Sequence, residues 1–299
     1  MINKKQVLPL KKKLWFGAIK LPMYSVAIMP NWIGTTIAFA ETQRFDLRIF
    51  LTFFFAVISI LVWENFSNDV FDAETGIDKN KHHSLVNLTS NKRLIFWLGN
   101  IFLVLGFLGI TIIATWQKDI TIVGMITLCC LLGYIYQGPP FRLGYRGLGE
   151  LLCFFSFAIG VTTAYYSQTQ SWSFTSLAAG FIVGISTSII LFCSHFHQVE
   201  DDFAAGKISP IVRLGTYKSS QLLFWIVGSI YGCNLVFILI GLFPIWTLMN
   251  ILSLPIAYKL CTYVRENHNL PEKVSNSKFT AVALNFWSSL FIGVGFLLN

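Results

Sequence analysis

The chain has 299 residues, 55% of them hydrophobic and only 12% charged, where soluble domains carry about 25% charged residues. With 28 phenylalanines and 9 tryptophans it cannot cover itself with polar surface, which excludes a secreted enzyme, a disulfide scaffold and a disordered tail. The formal net charge of +8 bears first on membrane orientation, and nucleic acid is not needed to explain it.

Residues 1–20 form a basic segment, and the apolar run behind it continues past signal-peptide length without an Ala-x-Ala cleavage site, so it is read as retained. Nine apolar segments follow, at 21–40, 47–66, 94–115, 120–137, 148–167, 173–195, 221–242, 244–264 and 279–298. Each approaches the 20 or so residues a spanning helix needs. The expected architecture is an all-α integral membrane bundle of about nine transmembrane helices, a single domain over 1–299. An N-terminus in the cytoplasm places 19 of the 22 Lys and Arg residues inside and leaves Arg44, Arg48 and Lys118 outside, the asymmetry that sets topology. Eleven of the 14 acidic residues fall on that same inner side, and the outer joints are short. The six cysteines sit in apolar stretches without CxxC spacing and read as small hydrophobes.

Where the second span ends, Trp63-Glu64-Asn65-Phe66-Ser67-Asn68-Asp69-Val70-Phe71-Asp72 continues into polar sequence. As a helix it places Asn65, Asn68, Asp69 and Asp72 at i, i+3, i+4 and i+7, on one face. Carboxylates at the hydrocarbon boundary are costly and mark function more often than solvated helix ends. Oxygen ligands of this kind suit magnesium, which binds one or two carboxylates together with water and substrate phosphates. Gly76 then allows a turn, and Asp78, Lys79 and Lys81 follow.

The next inner loop, Tyr134 to Glu150, holds Tyr136, a Gly138-Pro139-Pro140 turn, Arg142 and Arg146. Its tyrosines fit an interfacial belt as well as a site, and Glu150 could be satisfied by an ion pair with a neighbouring arginine. A second polar stripe runs from Ser194 to Lys207. Read as one continuous helix, it aligns His195, Gln198 and Asp202, with His197, Glu200 and Asp201 on a neighbouring face. An i, i+2 histidine pair diverges by about 200° on a helix, so a two-histidine metal site is disfavoured against buried, hydrogen-bonded histidines. Gly206, Lys207 and Arg213 close the segment. Carboxylates and bases on one rim point to a phosphate ester or diphosphate, although any one base could simply be a positive-inside residue.

Together these loops resemble the UbiA-type intramembrane aromatic prenyltransferases. Asn68-Asp69-x-x-Asp72 with Gly76-x-Asp78 is similar to the first aspartate-rich motif of the 1,4-dihydroxy-2-naphthoate branch. Gln198-x-x-x-Asp202-x-x-x-Gly206-Lys207 is similar to the second, and Tyr-x-x-Gly-Pro-Pro ending Gly147-Leu148-Gly149-Glu150 to the loop between them. Gln198 stands where most relatives carry aspartate, a departure resembling the cyanobacterial and plastid members that make phylloquinone.

The resemblance implies transfer of an isoprenoid group, phytyl preferred, from its diphosphate to 1,4-dihydroxy-2-naphthoate with loss of carbon dioxide, in phylloquinone or menaquinone synthesis. It implies a bacterial, cyanobacterial-type inner or thylakoid membrane with the site at the cytoplasmic face. Magnesium would be held by Asp69, Asp72 and Asp202, with Asp78, Glu200 and Asp201 as further candidate ligands. Lys79, Lys81, Arg142, Lys207 and Arg213 would bind diphosphate, and Asn65, Asn68, Tyr136 and Gln198 would face the acceptor or the allylic cation. Homogentisate, chlorophyllide and haem acceptors are the alternatives within the superfamily. A transporter is the rival of another class, but its ionisable residues would lie near the bilayer midplane, whereas these collect at one rim.

Overall fold

The computed structural model describes Trp15, residues 21–77 and residues 84–299. Every regular element among them is helical. In chain order these are α1 (Tyr24–Thr42), α2 (Leu47–Thr75), α3 (Leu85–Thr89), α4 (Lys92–Gln117), α5 (Thr121–Gln137), α6 (Gly149–Thr169), α7 (Phe174–His195), α8 (Val199–Ala204), α9 (Pro210–Leu214), α10 (Thr216–Leu239), α11 (Leu254–Asn267), α12 (Pro271–Val274) and α13 (Ser277–Leu297). Six helical stretches among the described residues are long and apolar enough to cross a membrane: α2, α4, α6, α7, α10 and Pro271–Leu297, which contains α12 and α13. The chain is a membrane protein.

The other three expected spans differ for local reasons. Helix α1 carries Pro30 and the buried polar residues Asn31, Thr35 and Thr36. These are satisfied inside the bundle, Asn31 Nδ2 donating to the Phe50 carbonyl at 3.2 Å. Helix α5 is apolar but has only 17 residues. The segment expected at 244–264 divides into a 3-10 stretch, Ile245–Ser253, and α11, with Pro255 in the first turn of α11.

Helix α2 shows how the chain carries polar groups out of the bilayer. Asp46 caps its start, accepting hydrogen bonds from the backbone N–H groups of Arg48 and Ile49. Its 29 residues rise roughly 43 Å, longer than a hydrocarbon core of about 30 Å, and its polar residues gather in the last turns. The helix stops at Gly76, whose φ of +75° suits a residue without Cβ.

Two large hydrophobic clusters build most of the core, with a smaller third around Val70, Phe71, Leu85 and Ile95. One joins α1, α6, α7, α10, α11 and α13, with Ile33, Ile182 and Leu260 fully enclosed. The other joins α2, α4 and α5 around Phe53, Ile110 and Ile122. Between them lies a cavity of about 270 Å³ lined by α1, α2, α5, α6 and α7.

Candidate active site at the mouth of an apolar cavity

The cavity is walled by aliphatic and aromatic side chains, among them Phe53, Trp63 and Phe157. Its polar lining includes Glu64, Asn65 and Asn68 from α2, Tyr136 from α5 and Ser194 from α7. Asn65, Asn68 and Tyr136 are therefore brought together, as the sequence implied. Tyr136 fits because Gly144 and Gly149 leave room for its ring.

Asp69 and Asp72 leave the cavity-facing stripe in different directions. Asp69 is 1% exposed, and its Oδ2 accepts the backbone N–H of Leu85 at 2.8 Å, which ties it to the start of α3. Asp72 is 9% exposed and accepts from the Tyr145 hydroxyl at 3.4 Å. That hydroxyl also meets Thr75 Oγ1 at 2.6 Å. Burial, reinforced by the Asp72 charge, pushes the Tyr145 phenol well above its ordinary range, so it remains a donor.

The second stripe corrects the sequence reading. Helix α7 ends at His195, a turn covers Phe196 and His197, and α8 begins anew at Val199, so His195, Gln198 and Asp202 do not share one helix face. At the break, Phe196 is 1% exposed and packs into the large core cluster. His195 Nδ1 lies 3.0 Å from Glu150 Oε1, so Glu150 pairs with a histidine and not with an arginine. Gln198 occupies the N-cap of α8, and its side chain makes no capping hydrogen bond. Glu200 and Asp201 lie on the exposed face of α8, while Asp202 turns inward and is fully buried.

Asp202 is the most constrained of the three aspartates. Lys207 Nζ stands 3.6 Å from its Oδ1, with Lys207 itself only 4% exposed. Neither Asp202 oxygen accepts a hydrogen bond from a described residue. Burial pushes its carboxyl above the usual carboxylate range, and the charges of Lys207 and His195 pull it back. Gly206, with φ +74°, turns the chain after α8 so that Lys207 folds back onto Asp202.

Tyr145 joins the two sides. Its ring lies 5.8 Å from Lys207 Nζ, and its carbonyl accepts the Ile208 N–H at 2.8 Å. Asp72, Tyr145, Lys207 and Asp202 thus form one continuous rim. Sequence reasoning left Tyr145 without a role, and only its place between two arginines marked it.

The remaining predicted bases divide. Arg142 is paired with Glu74 at 3.3 Å, and Lys92 reaches the same carboxylate at 3.2 Å. Arg213 is exposed and donates to the Arg146 carbonyl at 2.6 Å, anchoring the 142–150 loop. Asp78, Lys79 and Lys81 lie outside the described residues.

Among the described residues, no three or more His, Cys, Asp or Glu side chains gather closely enough to enclose one ion. The donor set fits magnesium nonetheless, since that ion needs few carboxylates and completes its shell with water and substrate phosphate. The buried oxygens of Asp202, which face the Lys207 ammonium but accept no hydrogen bond, are acceptors suited to a cation.

The model of the UbiA prenyltransferase family matches residues 27–290. The 2-carboxy-1,4-naphthoquinone phytyltransferase of Synechocystis sp. is 49% identical over 96% of this chain and 94% of its own. The chloroplastic protein of the same name from Arabidopsis thaliana is 38% identical over 99% of this chain and 80% of its own. The fold is similar to that of a UbiA homolog from Archaeoglobus fulgidus, solved bound to GPP and Mg2+, with a TM-score of 0.58 at 13% identity over 95% of this chain and 99% of that one. With six helices long and apolar enough to cross a membrane, an apolar cavity and two aspartate-bearing segments, the chain belongs to the UbiA prenyltransferase family.

Proposed function

We propose that the protein transfers an isoprenoid group, phytyl by preference, from its diphosphate to 1,4-dihydroxy-2-naphthoate with loss of carbon dioxide, in phylloquinone or menaquinone synthesis. The observation that carries this reading is an apolar, aromatic-walled cavity whose Tyr136 lies within electrostatic reach of Asp72 and Asp202, two of the buried carboxylates that share a rim with the buried Lys207. An isoprenoid diphosphate has the matching division, a greasy chain joined to a polyanion. The 49% identical phytyltransferase supports the donor, and the homolog bound to GPP and Mg2+ supports the cofactor.

On this reading Asp69 and Asp72 on one side and Asp202 on the other hold the metal. Magnesium, when bound, supplies charge neutralisation that makes diphosphate a better leaving group. Lys207, with Lys79, Lys81, Arg142 and Arg213 as further candidates, offsets the charge that develops on the leaving oxygens. Engaging Arg142 or Arg213 requires each to leave its present partner, so Lys207 is the base already in place. The ring faces of Trp63, Tyr136 and Phe157 line the space next to the reacting carbon and exclude water from the allylic cation. Asn65 and Asn68 orient the acceptor ring, whose electron-rich carbon forms the new bond. Gln198, at the N-cap of α8 without a capping hydrogen bond, is read as a subfamily variant of the second motif on the acceptor side.

The chain forms a single transmembrane unit over 1–299, with about nine membrane-crossing passages once α1, α5 and the Ile245–Asn267 stretch are included. The basic residues 1–20 and the aspartate rim face the cytoplasm of a bacterial inner or thylakoid membrane, in keeping with the 19-to-3 division of Lys and Arg. The test is an assay of membranes carrying the protein with 1,4-dihydroxy-2-naphthoate against phytyl, geranylgeranyl and longer diphosphates, with and without magnesium. A magnesium-dependent prenylated naphthoquinol, identified by its mass or by that of the quinone it forms in air, and formed fastest from phytyl diphosphate, is expected. No such product under any condition refutes the function.

A further inference from the structure

Glu64 has no hydrogen-bond or ion-pair partner among the described residues, although it belongs to a helix long and apolar enough to cross a membrane. A carboxyl placed there without compensation is costly, so its retention calls for a role. It lines the cavity one helical turn before Asn68, and its carboxyl lies against Gly133 of α5, where any Cβ would collide with it. Its place along α2 sets its depth. Five residues separate it from Asp69 and eight from Asp72, a rise of roughly 7.5 and 12 Å. Glu64 therefore lies too deep to hold the diphosphate and at the level where an acceptor ring meets the first carbons of the isoprenoid chain.

The other titratable groups on the cavity walls are Cys129, Cys130 and Tyr136 of α5 and Cys153 of α6, while α1 and α7 contribute none. Glu64 is thus the one carboxyl among the residues lining this chamber. Close by, Asn65 Nδ2 is buried without a partner, a second polar group in need of a ligand.

Building on the function proposed above, we infer that Glu64 is a catalytic residue on the acceptor side, taking and then returning the proton of the naphthoate hydroxyl next to the carboxyl group. As the ring carbon bearing the carboxylate attacks the allylic carbon, the new C–C bond forms, the allylic C–O bond breaks and diphosphate departs. The hydroxyl proton passes to the Glu64 carboxylate, and the ring is left as a β-keto carboxylate. Breaking the ring–carboxylate bond releases carbon dioxide, its electron pair returns to the ring, and the ring oxygen recovers the proton from Glu64. No proton or electron is left over, and no oxidant or external base is required.

The test compares purified wild type with E64Q, E64D and Gly133→Ala, using 1,4-dihydroxy-2-naphthoate and phytyl diphosphate. E64Q keeps the size of the side chain and is expected to lower kcat by about 100-fold, the lower end of general acid–base contributions. Its KM for phytyl diphosphate stays within about twofold, because the rim that binds diphosphate is untouched. E64D recovers part of the loss. Gly133→Ala leaves the carboxyl chemistry intact but displaces it, and is expected to lower kcat with the same unchanged donor KM. Wild-type kcat in E64Q, or an E64Q defect confined to donor KM, overturns the assignment while the proposed function stands. Absence of prenylated product from the wild type itself removes both.

Discussion

The first aspartate segment is the outward extension of a single helix. Helix α2 runs through Asn65, Asn68, Asp69 and Asp72 without interruption and ends at Gly76. The second is made by breaking a helix: α7 stops at His195 and α8 restarts at Val199, swinging Asp202 inward while Glu200 and Asp201 face out. An extended helix spreads its polar groups along several turns, so the asparagines line the cavity and the two aspartates are drawn to Leu85 and Tyr145. A broken helix turns one of its three carboxylates inward, and that carboxylate is ion-paired to Lys207. The first segment is accordingly expected to tolerate local damage better than the second.

The largest effect falls where both segments carry the same chemistry. Asp72→Ala and Asp202→Ala are each expected to abolish transfer, by about 10³-fold or more, while the protein remains in the membrane. Product mass after incubation of each purified variant measures this, and wild-type turnover by either would remove that residue from the site.

Stability then separates the two. Lys207→Met leaves Asp202 buried without its cation and is expected to cost about 3–5 kcal/mol, read from thermal unfolding in detergent. Burial raises the Asp202 pKa above its unfolded value, so the folded state holds this proton more tightly. That contribution is fully present below the ordinary carboxylate pKa and is lost as pH rises through the raised one. Lys207→Met removes an opposing charge and should show a steeper loss of stability with rising pH than wild type. The matching lesion in the first segment, Tyr145→Phe, deletes the hydroxyl's hydrogen bonds to Asp72 and Thr75 and is expected to cost about 1–3 kcal/mol with little pH dependence. Equal losses in the two variants would erase the contrast.

The smallest effect concerns the position that departs from the family pattern. Gln198 makes no capping hydrogen bond at the start of α8, so Gln198→Asp is expected to retain activity within a few-fold, measured by the same product assay. Complete loss would give Gln198 a distinct role.

The same contrast governs what could be read from sequence. The stripe on α2 was legible because a continuous helix preserves its 3.6-residue period. The break after His195 was not, since residues 196–198 contain neither glycine nor proline and the interruption coincides with the burial of Phe196. Nor could sequence pair Glu150 with His195 across 45 positions. Glu64 stands at i and i+4 with Asn68 but precedes the aspartate pattern, so no motif spacing marks it. The 3-10 stretch Ile245–Ser253 was hidden by its hydropathy, which matches that of a spanning helix. Composition fixes where a segment prefers to be, but not how its backbone turns once neighbours pack against it.

The central claim is that carboxylates delivered by these two unlike backbone routes jointly hold the metal and diphosphate of the donor. Thermal stabilisation of detergent-purified wild type, Asp72→Ala and Asp202→Ala by a non-hydrolysable isoprenoid diphosphate analogue, with and without magnesium, tests it most directly. A magnesium-dependent rise in Tm for wild type that is lost in both variants is the predicted result, and a full rise in either variant would contradict the account.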